Sequence, residues 1–357
     1  MDRSAVEAAI HRGIAYLESK QDAATGSWSQ AEFPALTALS VAAIMHNPGR
    51  KAADFPASAS RGYAFILSNQ KPDGGIYAKG LGTYNTALSL YALTLHPEAR
   101  TKLSDALREC RRFLIGQQAD LDKSGVTDSP YDGGIGYGGS LPHSDLSNTH
   151  LSLEALYYSK QILEDTPGGP GPYKLDWNAA LTFVSRCQNL EGSNDLPNVK
   201  VTDSNRGGFV YFPGNSKAGE EEKTDTDVAL RSYGSMTYAG LLSFIYADLK
   251  PTDRRVSAAL KWLSANYTVD ENPFMEAQGL FYYYHTMAKA LALAGLEKIP
   301  LKSGKEANWR GDLSAKLLSL QQSDGSWVNQ GSKRWWEDDP VLVTSYAVLS
   351  LEHILNY

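Results

Sequence analysis

The segment Gln321-Gln322-Ser323-Asp324-Gly325-Ser326-Trp327 decides how this chain is read. An amphipathic stretch holding Ala315-Lys316-Leu317-Leu318 precedes it. An apolar one beginning Val343-Thr344-Ser345-Tyr346-Ala347 follows. A Gln in the last turn of a helix can satisfy backbone groups that have no intrahelical partner. Gly permits the left-handed turn that ends a helix, and the Trp can pack back on both flanking helices. The segment reads as the staple inside a helix pair.

Working outward, the same pattern recurs along the chain. Looser turns are Gln21 to Gly26-Ser27-Trp28 and Gln70-Lys71-Pro72-Asp73-Gly74-Gly75-Ile76-Tyr77. Asp132-Gly133-Gly134-Ile135-Gly136-Tyr137 and Asn205-Arg206-Gly207-Gly208-Phe209 read as keeping only the Gly-aromatic half, and around Asn272-Pro273-Phe274 the pattern is lost. The helices before these turns space apolar residues by three and four with charges between, as in Gly13-Ile14-Ala15-Tyr16-Leu17 and Ala259-Leu260-Lys261-Trp262-Leu263. Such helices have one wet face. The helices after them are apolar nearly all round and align on one threonine each: Thr37, Thr86, Thr149, Thr237, Thr286 and Thr344. Six outer and six inner helices in alternation predict an all-α double-walled ring, an (α/α)6 toroid, occupying residues 1–357 as a single domain.

Composition narrows the function. The net charge is −6 with acids and bases interspersed, so no basic stripe invites nucleic acid. No apolar run approaches the roughly 20 residues of a transmembrane helix, which leaves only peripheral membrane contact open. Met1-Asp2-Arg3-Ser4 has no apolar leader, which favours the cytoplasm unless a segment has been trimmed. Cys110 and Cys187 are the only cysteines, too few for a zinc site of thiolates or a disulfide framework.

Gln-x-x-x-Gly-x-Trp turns mark the squalene and oxidosqualene cyclases, and the protein prenyltransferase β subunits share their toroid. The chain resembles this superfamily from about Gly13 to Leu355, with one complete ring. The resemblance implies a central cavity for an isoprenoid or other lipid-like, amphipathic ligand. The threonine register tests the chemistry it implies. Class II terpene cyclases protonate an alkene or epoxide with an Asp two residues before the threonine, and aromatic rings stabilise the cation. Those positions here are Ala35, Tyr84, Ser147, Ser235, Tyr284 and Leu342, none of them acidic. In Asp145-Leu146-Ser147-Asn148-Thr149 only the first Asp of that motif survives. Asp225-Thr226-Asp227 lies out of register in a polar loop. Prenyltransferases bind zinc through Asp, Cys and His. Tyr284-His285-Thr286 supplies the His, but Tyr233 and Ser235 stand where the other two belong, so no metal, no cofactor and no obligate α subunit are expected.

In these families the inner-helix positions four before, one before and three after the threonine look into the lumen. That face carries Tyr282, His285 and Lys289 on one helix, Asp145, Asn148 and Ser152 on another, and Asn85 and Ser89 on a third. Phe33, Tyr233 and other mainly apolar residues make the facing wall, and Tyr84 and Tyr238 flank the stripe. Buried polar groups need partners or water, which predicts a solvent-connected pocket on this face. Asp145, His285 and Lys289 are the candidate acid–base residues. Trp335-Trp336-Glu337-Asp338-Asp339-Pro340 is a candidate rim, where Trp335 and Trp336 could gate and Asp338 or Asp339 could act as an acid. The plainer reading is that these Asp residues cap the last helix, with Pro340 in its first turn. Two functions stay open: an enzyme acting on a lipid-like substrate with altered acid–base residues, and a binding or scaffold protein that has kept only the ring. A polysaccharide-active (α/α)6 enzyme is a weaker third, because the stripe has few carboxylates.

Overall fold

The computed structural model describes residues 1–51, 54–138, 143–224 and 227–356. Outer helices α1 (Arg3–Lys20), α3 (Ala57–Ser68), α5 (Ser104–Ile115), α7 (Trp177–Arg186), α9 (Arg254–Ala265) and α11 (Trp309–Leu320) alternate with inner helices α2 (Pro34–His46), α4 (Gly82–Thr94), α6 (Leu146–Leu163), α8 (Gly234–Tyr246), α10 (Leu280–Leu293) and α12 (Pro340–Asn356). The inner helices pack in the order α2, α4, α6, α8, α10, α12, and α12 returns to α2, which closes the ring. Burial follows the sequence pattern. Of α5 only Leu107, Cys110, Arg111 and Leu114 are buried, whereas α8 buries every residue except Ile245.

The threonine that fixes the register has a specific partner. Thr37, Thr86, Thr149, Thr237 and Thr344 Oγ1 accept from the backbone N–H of Trp28, Ile76, Ile135, Phe209 and Trp327 at 2.9–3.1 Å. Each threonine thus holds the apolar residue of its own turn. The turn glutamines tie neighbouring repeats together. Gln21, Gln70, Gln118, Gln188 and Gln321 each donate to the carbonyl of their turn glycine and to an early carbonyl of the next outer helix: Ser58, Ala106, Asp176, Arg255 and Ala9. The last of these runs from α11 to α1 and completes the ring.

The third and fourth turns therefore keep their glutamine, contrary to the sequence expectation that only the Gly-aromatic half survives. Gln118 and Gln188 stand 15 and 19 residues before the glycine, separated from it by inserted loops. The glycine itself is required. Gly325 has φ +90°, and a Cβ there would lie 2.6 Å from the Arg12 carbonyl oxygen. Gly133 is tighter still, with a Cβ 2.0 Å from the Ala179 oxygen.

The joint between α9 and α11 is different. Its repeat has lost the turn motif, and Thr286 Oγ1 donates only to its own helix, at Tyr282 and Tyr283. Here Tyr283 and Tyr284 donate to the Thr268 and Val269 carbonyls at 2.7 Å, and Tyr267 bonds Asp312 at 2.9 Å. This accounts for most of the Phe281-Tyr284 aromatic run as packing. Two short hairpins decorate the ring: β1 (Glu220–Lys223) with β2 (Val228–Leu230), and β3 (Ile299–Pro300) with β4 (Glu306–Ala307). Of the Asp225-Thr226-Asp227 segment, which follows β1 in the chain, the first two residues lie outside the described residues.

Candidate ligand cavity

Every outer-to-inner connection lies at the end of the ring where the inner helices begin. A cavity of about 430 Å³ opens there, the size range of small-molecule sites. Its wall is built from the first turns of the inner helices and from the loops above them. Tyr84, Ser147, Tyr233, Ser235, Met236, Tyr282 and Tyr346 come from the helices and their caps. Tyr137, Tyr211, Lys217, Lys333, Trp335, Trp336 and Glu337 come from the loops, with Leu81 and Gly279 beside them. Phe33 stacks on Trp336 with ring centroids 4.9 Å apart. Of the six positions two before the threonine, Tyr84, Ser147 and Ser235 reach the cavity and present hydroxyls, not a carboxyl.

The sequence reading placed the candidate residues unevenly. Tyr84, Tyr233 and Tyr282 line the cavity, as do Trp335 and Trp336. Asn85, Asn148, Ser152 and Tyr238 lie behind the wall. Asn85 accepts from the Ala35 N–H and donates to Gly80 and Leu81, a structural clamp between two inner helices. Asp145 is fully buried and caps α6, accepting from the Asn148 N–H at 2.9 Å and its side-chain amide at 2.8 Å. Burial raises its carboxyl to about 6, and those hydrogen bonds limit the rise. It keeps its proton up to about pH 6, but it lies behind Tyr137 and Tyr211, whose hydroxyls are 3.5 Å apart.

His285 and Lys289 do not share the mouth cavity. They lie deeper in the ring, in a closed polar cluster. Lys289 forms an ion pair with Glu154 of α6, with side-chain exposures of 2% and 5%, and sits 4.3 Å over the Tyr91 ring. His150 is 4.0 Å from the same carboxylate. His285 stacks beside Tyr346 and His353, and His46 is 3.5 Å from Glu352. Burial lowers Lys289 to about 7, His46 to about 4, and His150 and His285 to about 3, so the histidines are neutral. The expected single pocket carrying both polar stripes is in fact two layers: an open aromatic mouth and a buried ionic floor. Among the described residues, no group of three or more His, Cys, Asp or Glu could hold a metal ion.

Several residues escaped the sequence reading, among them Lys217, Lys333, Tyr137, Tyr211 and Tyr346 of the cavity wall and two buried acids. Glu154 lies five residues after its threonine, two past Ser152 and so off the helical face that was scanned. Glu337 is 1% exposed and lines the cavity. Its carboxylate accepts from the Phe281 and Tyr282 N–H groups and from Asn329, so it caps α10 from the neighbouring repeat, while burial raises its pKa. The signal was present in Trp336-Glu337-Asp338, but the two Asp residues drew the attention. Asp339 caps its own helix through the Val341 N–H at 2.8 Å, and Asp338 is exposed.

No protein-family model matches the sequence, and no curated protein matches it. Solved structures do resemble it in fold. The type II terpene cyclase MstE from Scytonema, as a variant in complex with its product merosterolic acid A, superposes with a TM-score of 0.57 at 11% identity, covering 98% of this chain and 97% of that one. D-mannose isomerase gives 0.57 at 11% identity, over 96% of each chain. A possible member of the GH105 family from Salmonella enterica gives 0.54 at 10% identity, over 99% and 94%. With such identities the likeness is one of architecture: the chain has the (α/α)6 toroid fold, which these terpene cyclase and carbohydrate-active rings share.

Proposed function

We propose that the chain binds an isoprenoid or similarly shaped amphipathic molecule in the mouth cavity, with the ring serving as a rigid receptor. The observation that carries this reading is the wall itself. Six tyrosines and two tryptophans surround one volume of about 430 Å³ at the open end of the ring. Aromatic side chains offer large apolar area with little rotamer freedom to lose on binding. The toroid that MstE uses with geranylgeranyl dihydroxybenzoate as substrate is the same architecture. The acid–base candidates favour binding over the known protonation route: Asp145 is fully buried behind the wall, and His285 and Lys289 are buried in the floor.

The test is tryptophan fluorescence, since Trp335 and Trp336 stand at the rim. Farnesol and geranylgeraniol should quench it saturably and raise the melting temperature. Tyr282→Ala and Trp336→Ala should weaken both effects tenfold or more. No saturable change and no thermal shift with either probe would overturn the proposal. The hydroxyls of six tyrosines, Ser147 and Ser235 support a second reading, a sugar ligand, which predicts the same response to monosaccharides and none to farnesol.

A further inference from the structure

The mouth cavity is aromatic inside and cationic at one edge. Lys217 and Lys333 line it, and Arg334 stands next to Lys333 on the same strap. Neither lysine makes an ion pair with a carboxylate among the described residues. Lys217 is half-buried, its ammonium 4.4 Å over the face of Tyr211. Arg334 donates to the Gln278 side chain and lies 4.4 Å over the Trp335 ring, again without a carboxylate. Partial burial lowers the pKa of Lys217 and the nearby Arg334 charge lowers it further, while the Asp145 carboxylate acts more weakly the other way. Lys333 and Arg334 are exposed, whereas Lys217 is part-desolvated with the Arg334 charge nearby, an electrostatic cost that an anion at this edge removes. The one carboxylate in the wall, Glu337, is already engaged by two backbone N–H groups and an amide.

The geometry points to an anion subsite at this edge. We infer that Lys217 and Lys333, supported by Arg334, receive the carboxylate or phosphate head of an amphipathic ligand whose apolar body lies among Tyr84, Tyr282, Tyr346 and Trp336. The inference rests on the proposed ligand cavity and adds the polarity of what fills it: head outward at the lysines, tail inward toward the tyrosines. Lys217 comes from the loop inserted between α7 and α8, and Lys333 from the strap before α12. The subsite therefore needs two separate segments held across the mouth. It is absent from the inner-helix register that organises the rest of the ring, which is why scanning that register did not reveal it.

The experiment compares three probes with the same farnesyl body: farnesol, farnesoic acid and farnesyl phosphate. Affinities are measured by calorimetry on the whole chain at low and at moderate salt. The expected result is tenfold or tighter binding of at least one anion than of farnesol, with the advantage shrinking as salt rises. Whichever anion leads identifies the head group. In Lys217→Gln/Lys333→Gln the ratio of anion to farnesol affinity should fall to about one. Equal affinity for all three probes, or a variant that weakens farnesol as much as the anions, overturns the anion subsite but leaves the aromatic receptor standing. Binding of none of the three overturns both.

Discussion

Replacing Lys289 by Met should destabilise the ring sharply without touching ligand binding. The side chain is 2% exposed, and so nearly is its partner Glu154 at 5%. Lys289→Met strands a carboxylate in a floor already crowded with the neutral histidines His150 and His285. The ion pair itself is worth little net, because desolvation offsets most of its Coulomb attraction. Its loss on one side is another matter: an uncompensated buried charge costs about 3–5 kcal/mol. Glu154→Gln strands the ammonium and should cost less, since burial already holds Lys289 near neutral at about 7. The double variant Glu154→Gln/Lys289→Met leaves no charge behind and should recover to within about 2 kcal/mol of the parent. Urea denaturation of the four proteins at pH 7.5 measures this cycle. A loss below about 1 kcal/mol for Lys289→Met, or a double variant as unstable as the sum of the singles, would refute the ionic floor. Farnesol affinity of the folded single variants should be unchanged; a tenfold loss would place Lys289 in the ligand site after all.

Other outcomes follow from the joints and the buried acid. Gly325→Ala should cost at least the 1–2 kcal/mol of a left-handed Ala, and more because its Cβ meets the Arg12 oxygen; Gly80→Ala, with φ +58° and nothing within 4 Å, should cost only the conformational part. Thr237→Val should lose about 1–3 kcal/mol by orphaning the Phe209 N–H, and Thr286→Val, which holds no turn, under about 1 kcal/mol by the same urea assay. The folded-state pKa of Asp145 is raised from 3.8 to about 6, so the folded chain binds the extra proton between those values. The Asp145 side chain therefore favours folding increasingly as pH falls from about 6 to about 4, and Asp145→Asn should lack that contribution. Parallel denaturation curves of parent and variant across this window, with a constant difference, would show that the carboxyl is not buried as described.

How far the sequence reached is clear from particular residues. The six threonines could be aligned because each sits in an apolar helix where any polar residue is conspicuous, and five of them hold a turn amide. Gln118 and Gln188 were missed because loop insertions moved them away from their glycines, although in space they make the same two bonds. The cavity face was read by helical spacing, which finds the residues that share a face but not their depth. Tyr282 and Lys289 are two turns apart on α10, one in the open mouth and one in the floor. Glu337, Lys217 and Lys333 reach the cavity from loops, where no period exists to mark them.

The odd joint has a consequence for the whole assembly. In a stacked-repeat protein each unit leans only on its neighbours, and stability is a chain of interface terms. A closed ring removes the two exposed ends that such a stack would have. It also means that breaking any one joint creates both ends at once. Five joints share one fastening, and the one between α9 and α11 lacks it and relies instead on bonds such as Tyr267 to Asp312. On the inner side the gap is spanned by the strap before α12: Glu337 grips the start of α10, Asn329 donates to Ala277, and Arg334 reaches Gln278. The same strap carries Trp335 and Trp336, both with left-handed backbone at φ 58° and 62°, and forms one wall of the cavity. A molecule that bound this wall only in the closed ring would stabilise that joint by mass action, linking occupancy of the mouth to integrity of the circle.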